Sequence, residues 1–174
     1  MTGKSFTAFP VLKTERLTLR QLVSSDDKEI FALRSDDNVN KYLDRKRSKS
    51  IDDAGNFIQA ITENIQRNDS IYWAITLNEI DKLIGTICLF DFTKDNLKAE
   101  IGYELLPGFQ GKGLMQEAAS RVIEFGIQYT GLNSIEAYTH SENERSTRLL
   151  EKLNFKKHRV VEDNFIVFKL TQHG

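Results

Sequence analysis

Five consecutive residues, Gln110-Gly111-Lys112-Gly113-Leu114, have the types and spacing of an anion cradle. Before them run Ala99-Glu100-Ile101-Gly102-Tyr103-Glu104-Leu105-Leu106, a strand-like segment, and a Pro107-Gly108 break. After them Met115, Ala118, Ala119, Val122, Gly126 and Tyr129 recur at the three-and-four spacing of one helix face. A strand, a tight glycine turn and a helix N-terminus bring backbone N–H groups close to a ligand, and the first helical turn adds unpaired donors. The helix end carries about half a unit of positive charge, worth roughly 0.3–2 kcal/mol to an anion. Lys112 adds a full charge at the rim. The same residues also suit an ordinary strand-to-helix connection, and Gly-x-Gly alone does not separate the two. A P-loop needs four residues between its glycines and then Gly-Lys-Ser/Thr. A dinucleotide fingerprint needs a third glycine where this chain has Gln116. Neither nucleotide motif fits.

The spacing does resemble the pyrophosphate loop of the Gcn5-related N-acetyltransferases, Gln/Arg-x-x-Gly-x-Gly/Ala. Gln110-Gly111-Lys112-Gly113-Leu114-Met115 agrees with it at every position but the last. Met115, with Glu117-Ala118 beyond it, is similar to the branch that acetylates N-termini of ribosomal proteins. Asn143-Glu144-Arg145-Ser146 followed by Leu149-Leu150-Glu151-Lys152-Leu153-Asn154-Phe155 resembles the family's Asn-x-x-Ser…Leu-x-Lys-x-Gly-Phe segment. Thr14-Glu15-Arg16-Leu17-Thr18-Leu19-Arg20 resembles the branch's opening strand. The likeness spans residues 14–170. It implies a single α/β (α+β) domain with a mixed, mostly antiparallel sheet of about seven strands flanked by about four helices. It also implies acetyl-CoA as co-substrate and no metal. The pantetheine arm is expected beside residues 102–106, touching Leu105 and Leu106. The pyrophosphate is expected on the N–H groups of Gln110, Gly111, Lys112, Gly113, Leu114 and Met115, with Asn143 and Ser146 positioning the arm. Asn154 stands where the family has glycine, and Asn is the best substitute where a helix end needs positive φ.

Acetyl transfer to an amine requires a deprotonated amine, a stabilised carbonyl oxygen and a proton for the leaving thiolate. At pH 7 roughly one α-amine in ten is neutral, against roughly one lysine in 2,500, so an enzyme for N-termini can manage with a weak base. Glu104 is the preferred base, because strand parity sends Glu100, Gly102 and Glu104 to one face and Ile101, Tyr103 and Leu105 to the other. A solvated edge glutamate is the rival reading. Glu162 and Asp163 are second choices: related enzymes place an acid there, but the segment Val161-Glu162-Asp163-Asn164 is shorter than the branch's. For thiolate protonation the resemblance nominates Ser146, which can equally satisfy backbone donors in the first helical turn. The tyrosine that many members carry further along that helix is absent. Tyr138 and His140 stand near Ser146, His140 as a strand-end polar residue. With His140, His158 and His173 and one cysteine, no spacing suggests a metal site. Arg45-Lys46-Arg47-Ser48-Lys49 reads as a solvated loop or as an acceptor-side loop that attracts an acidic substrate.

These residues need a scaffold, and the pattern supplies one. Residues 16–22 alternate as a strand; Ser24 or Ser25 can cap a helix burying Ile30, Phe31 and Leu33. Ser50-Ile51-Asp52-Asp53 is a capping-box variant opening a second helix to about residue 66 over Phe57, Ile58, Ile61 and Ile65. Residues 72–77 and 82–90 form a hairpin around Asn78-Glu79-Ile80-Asp81. A strand at 98–106, the cradle helix, a strand at 134–140, a helix at 143–153 and strands at 156–161 and 164–170 complete the order β-α-α-β-β-β-α-β-α-β-β. Residues 1–13 read as a short N-terminal extension to one domain covering 1–174.

Composition bounds the function. One hundred and seventy-four residues suit one domain with a buried core, and 40% hydrophobic with 28% charged residues is ordinary for a globular chain. A net charge of −1 provides no field for nucleic acid or anionic membrane. The single cysteine, Cys88, lies in a strand-like run and reads as a buried thiol in a reducing compartment. Residues 1–10 lack the apolar core of a signal peptide, and no run can span a bilayer. A cytoplasmic N-acetyltransferase, monomeric or homodimeric, follows as the expectation. Its acceptor is a peptide or protein N-terminus; a small amine, or an acetyl-CoA sensor without turnover, is the alternative.

Overall fold

The computed structural model describes residues 4–172, the side chain of Asp163 excepted, so His173 lies outside the described residues. Eight strands form one sheet: β1 Leu12–Lys13, β2 Leu17–Gln21, β3 Ile71–Leu77, β4 Ile80–Phe90, β5 Lys98–Leu105, β6 Ser134–His140, β7 Lys156–Val161 and β8 Phe165–Thr171. The helices are α1 Asp27–Ser35, α2 Asp37–Asn40, α3 Ile51–Gln66, α4 Leu114–Gln128 and α5 Glu144–Lys152. The spatial order is β1-β2-β3-β4-β5-β6-β8-β7. Neighbours are antiparallel except β5 and β6, which run parallel with α4 as their crossover.

The sheet has two unlike faces. On one, α4 packs through Val122, Phe125 and Gly126, with Phe125 edge-on to Trp73 at 5.5 Å between ring centroids. On the other, α3 sets Phe57 edge-on to Tyr72, 5.8 Å away. Parity on β4 and β5 follows the sequence expectation: register pairs Thr86 with Glu104 and Cys88 with Gly102 on the α1/α3 side, and Ile87 with Tyr103 and Leu89 with Ile101 on the α4 side. Gly85 lets β4 approach β5, since a Cβ there would lie 2.5 Å from the carbonyl oxygen of Glu104.

One gap in the sheet matters most. β5 and β6 pair only from Lys98 with Ser134 to Glu100 with Glu136. Beyond that β5 stays bonded to β4 as far as Leu105, and β6 to β8 as far as His140. The facing edges diverge and leave backbone groups without a ladder between them.

Several elements differ from expectation. Asp26, not Ser24 or Ser25, organises the entry to α1, because a 3-10 turn over Ser24–Asp26 intervenes and the Asp26 carboxylate accepts from the N–H of Val23 at 2.9 Å. Ser50 does cap α3 by accepting from the N–H of Asp53 at 3.1 Å, while the Asp53 carboxylate accepts from the N–H of Lys49. The hairpin turn is tighter, with β4 already starting at Ile80. Tyr129 continues the apolar period but falls beyond α4 and is 72% exposed. The sheet has eight strands where about seven were expected, because two-residue β1 pairs with β2, and α2 adds a fifth helix. Residues 4–13 are laid onto the domain: Phe6 is buried and its N–H bonds to Asn68, while the Trp73 indole donates to the carbonyl of Pro10 at 2.8 Å. Asn154 takes φ 69°, the left-handed conformation foreseen for it.

Candidate active site

The cradle forms where β5 ends. A 3-10 turn over Pro107–Phe109 leads to Gln110, and then Gly111 and Gly113 both adopt φ 76°. Gly113 is the N-cap of α4, and the first helical N–H with a protein acceptor is that of Glu117, on the carbonyl of Gly113 at 3.2 Å. Among the described residues, no acceptor takes the N–H groups of residues 111–116. Left-handed glycines and unclaimed donors at a helix start fit an extended anion such as a pyrophosphate. Leu114 and Met115 are buried under this turn and anchor it through packing.

Side chains from two distant segments brace the cradle. The Gln110 amide donates to the carbonyl of Leu105 at 2.8 Å and accepts from the Arg145 guanidinium, joining β5, loop and α5. Thr14 and Arg16 converge on Glu117: the Thr14 hydroxyl, the Arg16 N–H and the Arg16 Nε all donate to its carboxylate, the last two at 2.9 Å. Arg16 also donates to the carbonyl of Lys112 at 3.0 Å. The opening-strand motif therefore braces the loop and first turn of α4, a role that its sequence position does not disclose.

Between the diverging strands the candidate catalytic groups divide by face. Ser146 lies on the α4 side, where its hydroxyl and that of Tyr103 are 2.6 Å apart. Asn143 caps α5 by accepting from the N–H of Ser146 at 3.3 Å, so Ser146 is not the residue that satisfies the helix donors. Tyr103 is the functional candidate that sequence reasoning missed; parity put it opposite Glu104 but could not pair it with Ser146. Burial pushes its hydroxyl up to about 12, against the pull of Ser146. Tyr138 and His140 are not beside Ser146: they alternate with buried Thr139 and sit on the opposite face. Tyr138 accepts from Arg159 at 3.0 Å. His140 stacks on Tyr42 at 5.1 Å and meets Phe165 edge-on, and its Nδ1 accepts from the N–H of Glu142.

Glu104 is not a solvated edge residue. Its side chain is 9% exposed and bonds Arg45 Nη2 at 2.6 Å, with the Thr86 hydroxyl 3.4 Å away. Arg45 thus leaves the basic run for the site, whereas Arg47 pairs with Asp37 on the surface. Glu162 is exposed in the 3-10 turn Glu162–Asn164 that joins β7 to β8. Burial and the nearby Glu104 push the Cys88 thiol up to about 12, which removes it as a nucleophile.

A strand-turn-helix cradle opening onto a gap between parallel strands defines an α/β protein that can hold a long anionic ligand along a sheet edge. The chain belongs to the acetyltransferase (GNAT) family, the Gcn5-related N-acetyltransferases, whose domain profile matches residues 16–156. It is 37% identical over 153 residues to the uncharacterized N-acetyltransferase YoaA of Bacillus subtilis, covering 88% of this chain and 86% of the relative. Its fold matches a putative ribosomal-protein-serine acetyltransferase from Vibrio cholerae at a TM-score of 0.84 and 21% identity, over 94% and 98% of the two chains. It also matches a spermidine N-acetyltransferase from the same organism, solved with CoA and spermine, at 0.80 and 21%, over 91% and 97%. No helix among the described residues is long and apolar enough to cross a membrane.

Proposed function

We propose that this N-acetyltransferase moves the acetyl group of acetyl-CoA to the amino terminus of a peptide or protein. The cradle residues 110–115 receive the pyrophosphate, and the edge of β5 that has no strand partner beyond Glu100, running towards Leu105 and Leu106, receives the pantetheine arm. Acetyl-CoA supplies the activated acetyl group: the amine nitrogen bonds the carbonyl carbon, the C–S bond breaks, and the sulfur leaves with the electron pair. On the α1/α3 face Glu104 takes the proton that the amine gives up. On the α4 face the Tyr103 and Ser146 hydroxyls hold a proton beside the departing sulfur; Tyr103 stays protonated across the neutral range because burial holds its hydroxyl up. Asn143 holds Ser146 in place through the helix cap.

The observation that carries the choice of acceptor is the pairing of Glu104 with Arg45. A polyamine needs several unpaired acids around its charges, and here the acid nearest the reaction is already neutralised by an arginine. An α-amine, neutral often enough at pH 7, needs only one modest base. Steady-state thiol release with a panel of N-terminal peptides and with spermidine tests this: kcat/KM for the best peptides is expected to exceed that for spermidine at least tenfold. A spermidine value above every peptide overturns the reading.

A further inference from the structure

Residues 42–45 bridge the gap between β5 and β6 on the α1/α3 face. At one end Tyr42 stacks on His140 at the end of β6; at the other Arg45 bonds Glu104 on β5. The segment thus covers the gap on this face and sets Arg45 beside Glu104.

The Arg45 guanidinium is fixed independently of Glu104. Its Nε donates to Asn40 Oδ1 at 2.8 Å, and the buried Asn40 donates in turn to the carbonyls of Leu33 and Asp36 at 2.8 and 2.7 Å. The edge of the guanidinium that meets Glu104 is therefore held in place even when that carboxylate leaves. A second guanidinium stands near it. Arg34 lies over the Phe57 ring, 4.0 Å from its centroid, and its guanidinium forms no hydrogen bond or salt bridge among the described residues. It is half-buried; burial and repulsion from Arg45 oppose its charge and outweigh the attraction of Glu104. Two arginines face one glutamate, so among the described residues this half-buried site carries an excess of positive charge.

We infer that Arg45, with Arg34 behind it, binds a carboxylate carried next to the acceptor amine, and that this carboxylate takes the place of Glu104 on Arg45. The inference rests on the acceptor-side reading above and narrows it to acceptors with an acid beside the amine. The exchange conserves charge: one carboxylate replaces another on the same guanidinium, and Glu104 is released next to the amine whose proton it takes. Peptides with Asp or Glu at the first or second position carry this chemistry, as do free amino acids through their α-carboxylate.

The test uses the full chain with acetyl-CoA and follows thiol release. The acceptors are peptides that differ only in Ala, Asp, Glu or Lys at positions one and two, together with free glutamate and spermidine. Acidic peptides are expected to exceed their alanine counterparts at least tenfold in kcat/KM, and lysine peptides to fall below them. Arg45→Glu should invert this order, and Arg45→Lys should retain part of it, with acetyl-CoA affinity unchanged as the control that the fold is kept. Equal efficiencies for acidic and alanine peptides, or an acid preference that survives Arg45→Glu, overturn the inference and leave the peptide-acceptor reading standing. Turnover of glutamate with none of any peptide does the reverse. Spermidine above all others overturns both.

Discussion

The two faces of β5 are held by different kinds of contact. On the cradle side, Arg145 bonds Gln110 while Thr14 and Arg16 bond Glu117, and the backbone N–H groups of the loop stay unclaimed. On the acceptor side, the polar side chains themselves are occupied, Glu104 by Arg45 and His140 by Tyr42 and the Glu142 N–H. The first arrangement is preorganised: donors are fixed where charge will sit, and nothing must move before the ligand enters. The second holds its groups paired with one another, in an arrangement that the proposed acceptor has to displace. A cofactor common to many enzymes suits the first, and a substrate that must be selected suits the second.

The acceptor face gives the sharpest way to break that contrast. Glu104→Gln keeps a hydrogen-bond acceptor for Arg45 and removes the proposed base. We expect kcat to fall about 100-fold at pH 7, within the span that general bases contribute, while acetyl-CoA affinity is unchanged. The loss should shrink as pH rises, because the amine then sheds its proton unaided. Wild-type turnover at pH 7 would strip Glu104 of its role and leave it a partner of Arg45 alone.

The cradle face should respond in binding and not in turnover. Gly113→Val forces a β-branched residue to φ 76°, a strain of order 1–3 kcal/mol, and adds bulk where phosphate approaches backbone. We expect acetyl-CoA affinity to fall at least tenfold by calorimetry while the unliganded chain keeps its fold. A lowered melting temperature with unaltered affinity would make the turn a structural connection only.

The same division governs what the sequence discloses. The cradle is legible because its donors come from consecutive residues, and both glycines of the loop, Gly111 and Gly113, adopt positive φ. Asn154 was legible for the same local reason. Arg45 and Glu104 lie 59 positions apart, and Tyr103 and Ser146 lie 43 apart; no periodicity links such pairs before the sheet brings them together. Parity placed Tyr103 and Glu104 on opposite faces, yet it could not say what each face holds. Two-residue β1 is too short to carry a period, and Tyr129 continues the period of α4 past the end of the helix, where packing no longer supports it.

The smallest expected effect lies in the bracing of the cradle, and its pH dependence separates bracing from binding. Burial pushes the Glu117 carboxyl up, but the bonds from Thr14 and Arg16 outweigh it and hold the group below the usual carboxylate range. A carboxylate depressed in the folded state lends stability above its unfolded pKa of about 4.3, and loses it as pH falls through the folded value. Glu117→Gln should therefore lower the melting temperature at pH 7 by about 2–4 °C, the shift that roughly 1 kcal/mol produces in a chain of this size. The gap between wild type and variant should close as pH drops below the unfolded value, because the wild-type carboxyl then becomes neutral like the amide. Acetyl-CoA affinity should fall by less than tenfold, since the N–H groups of residues 111–116 are untouched. A gap that stays constant down to pH 3 would mean that the stabilisation comes from packing around residue 117 and owes nothing to the charge held by Arg16.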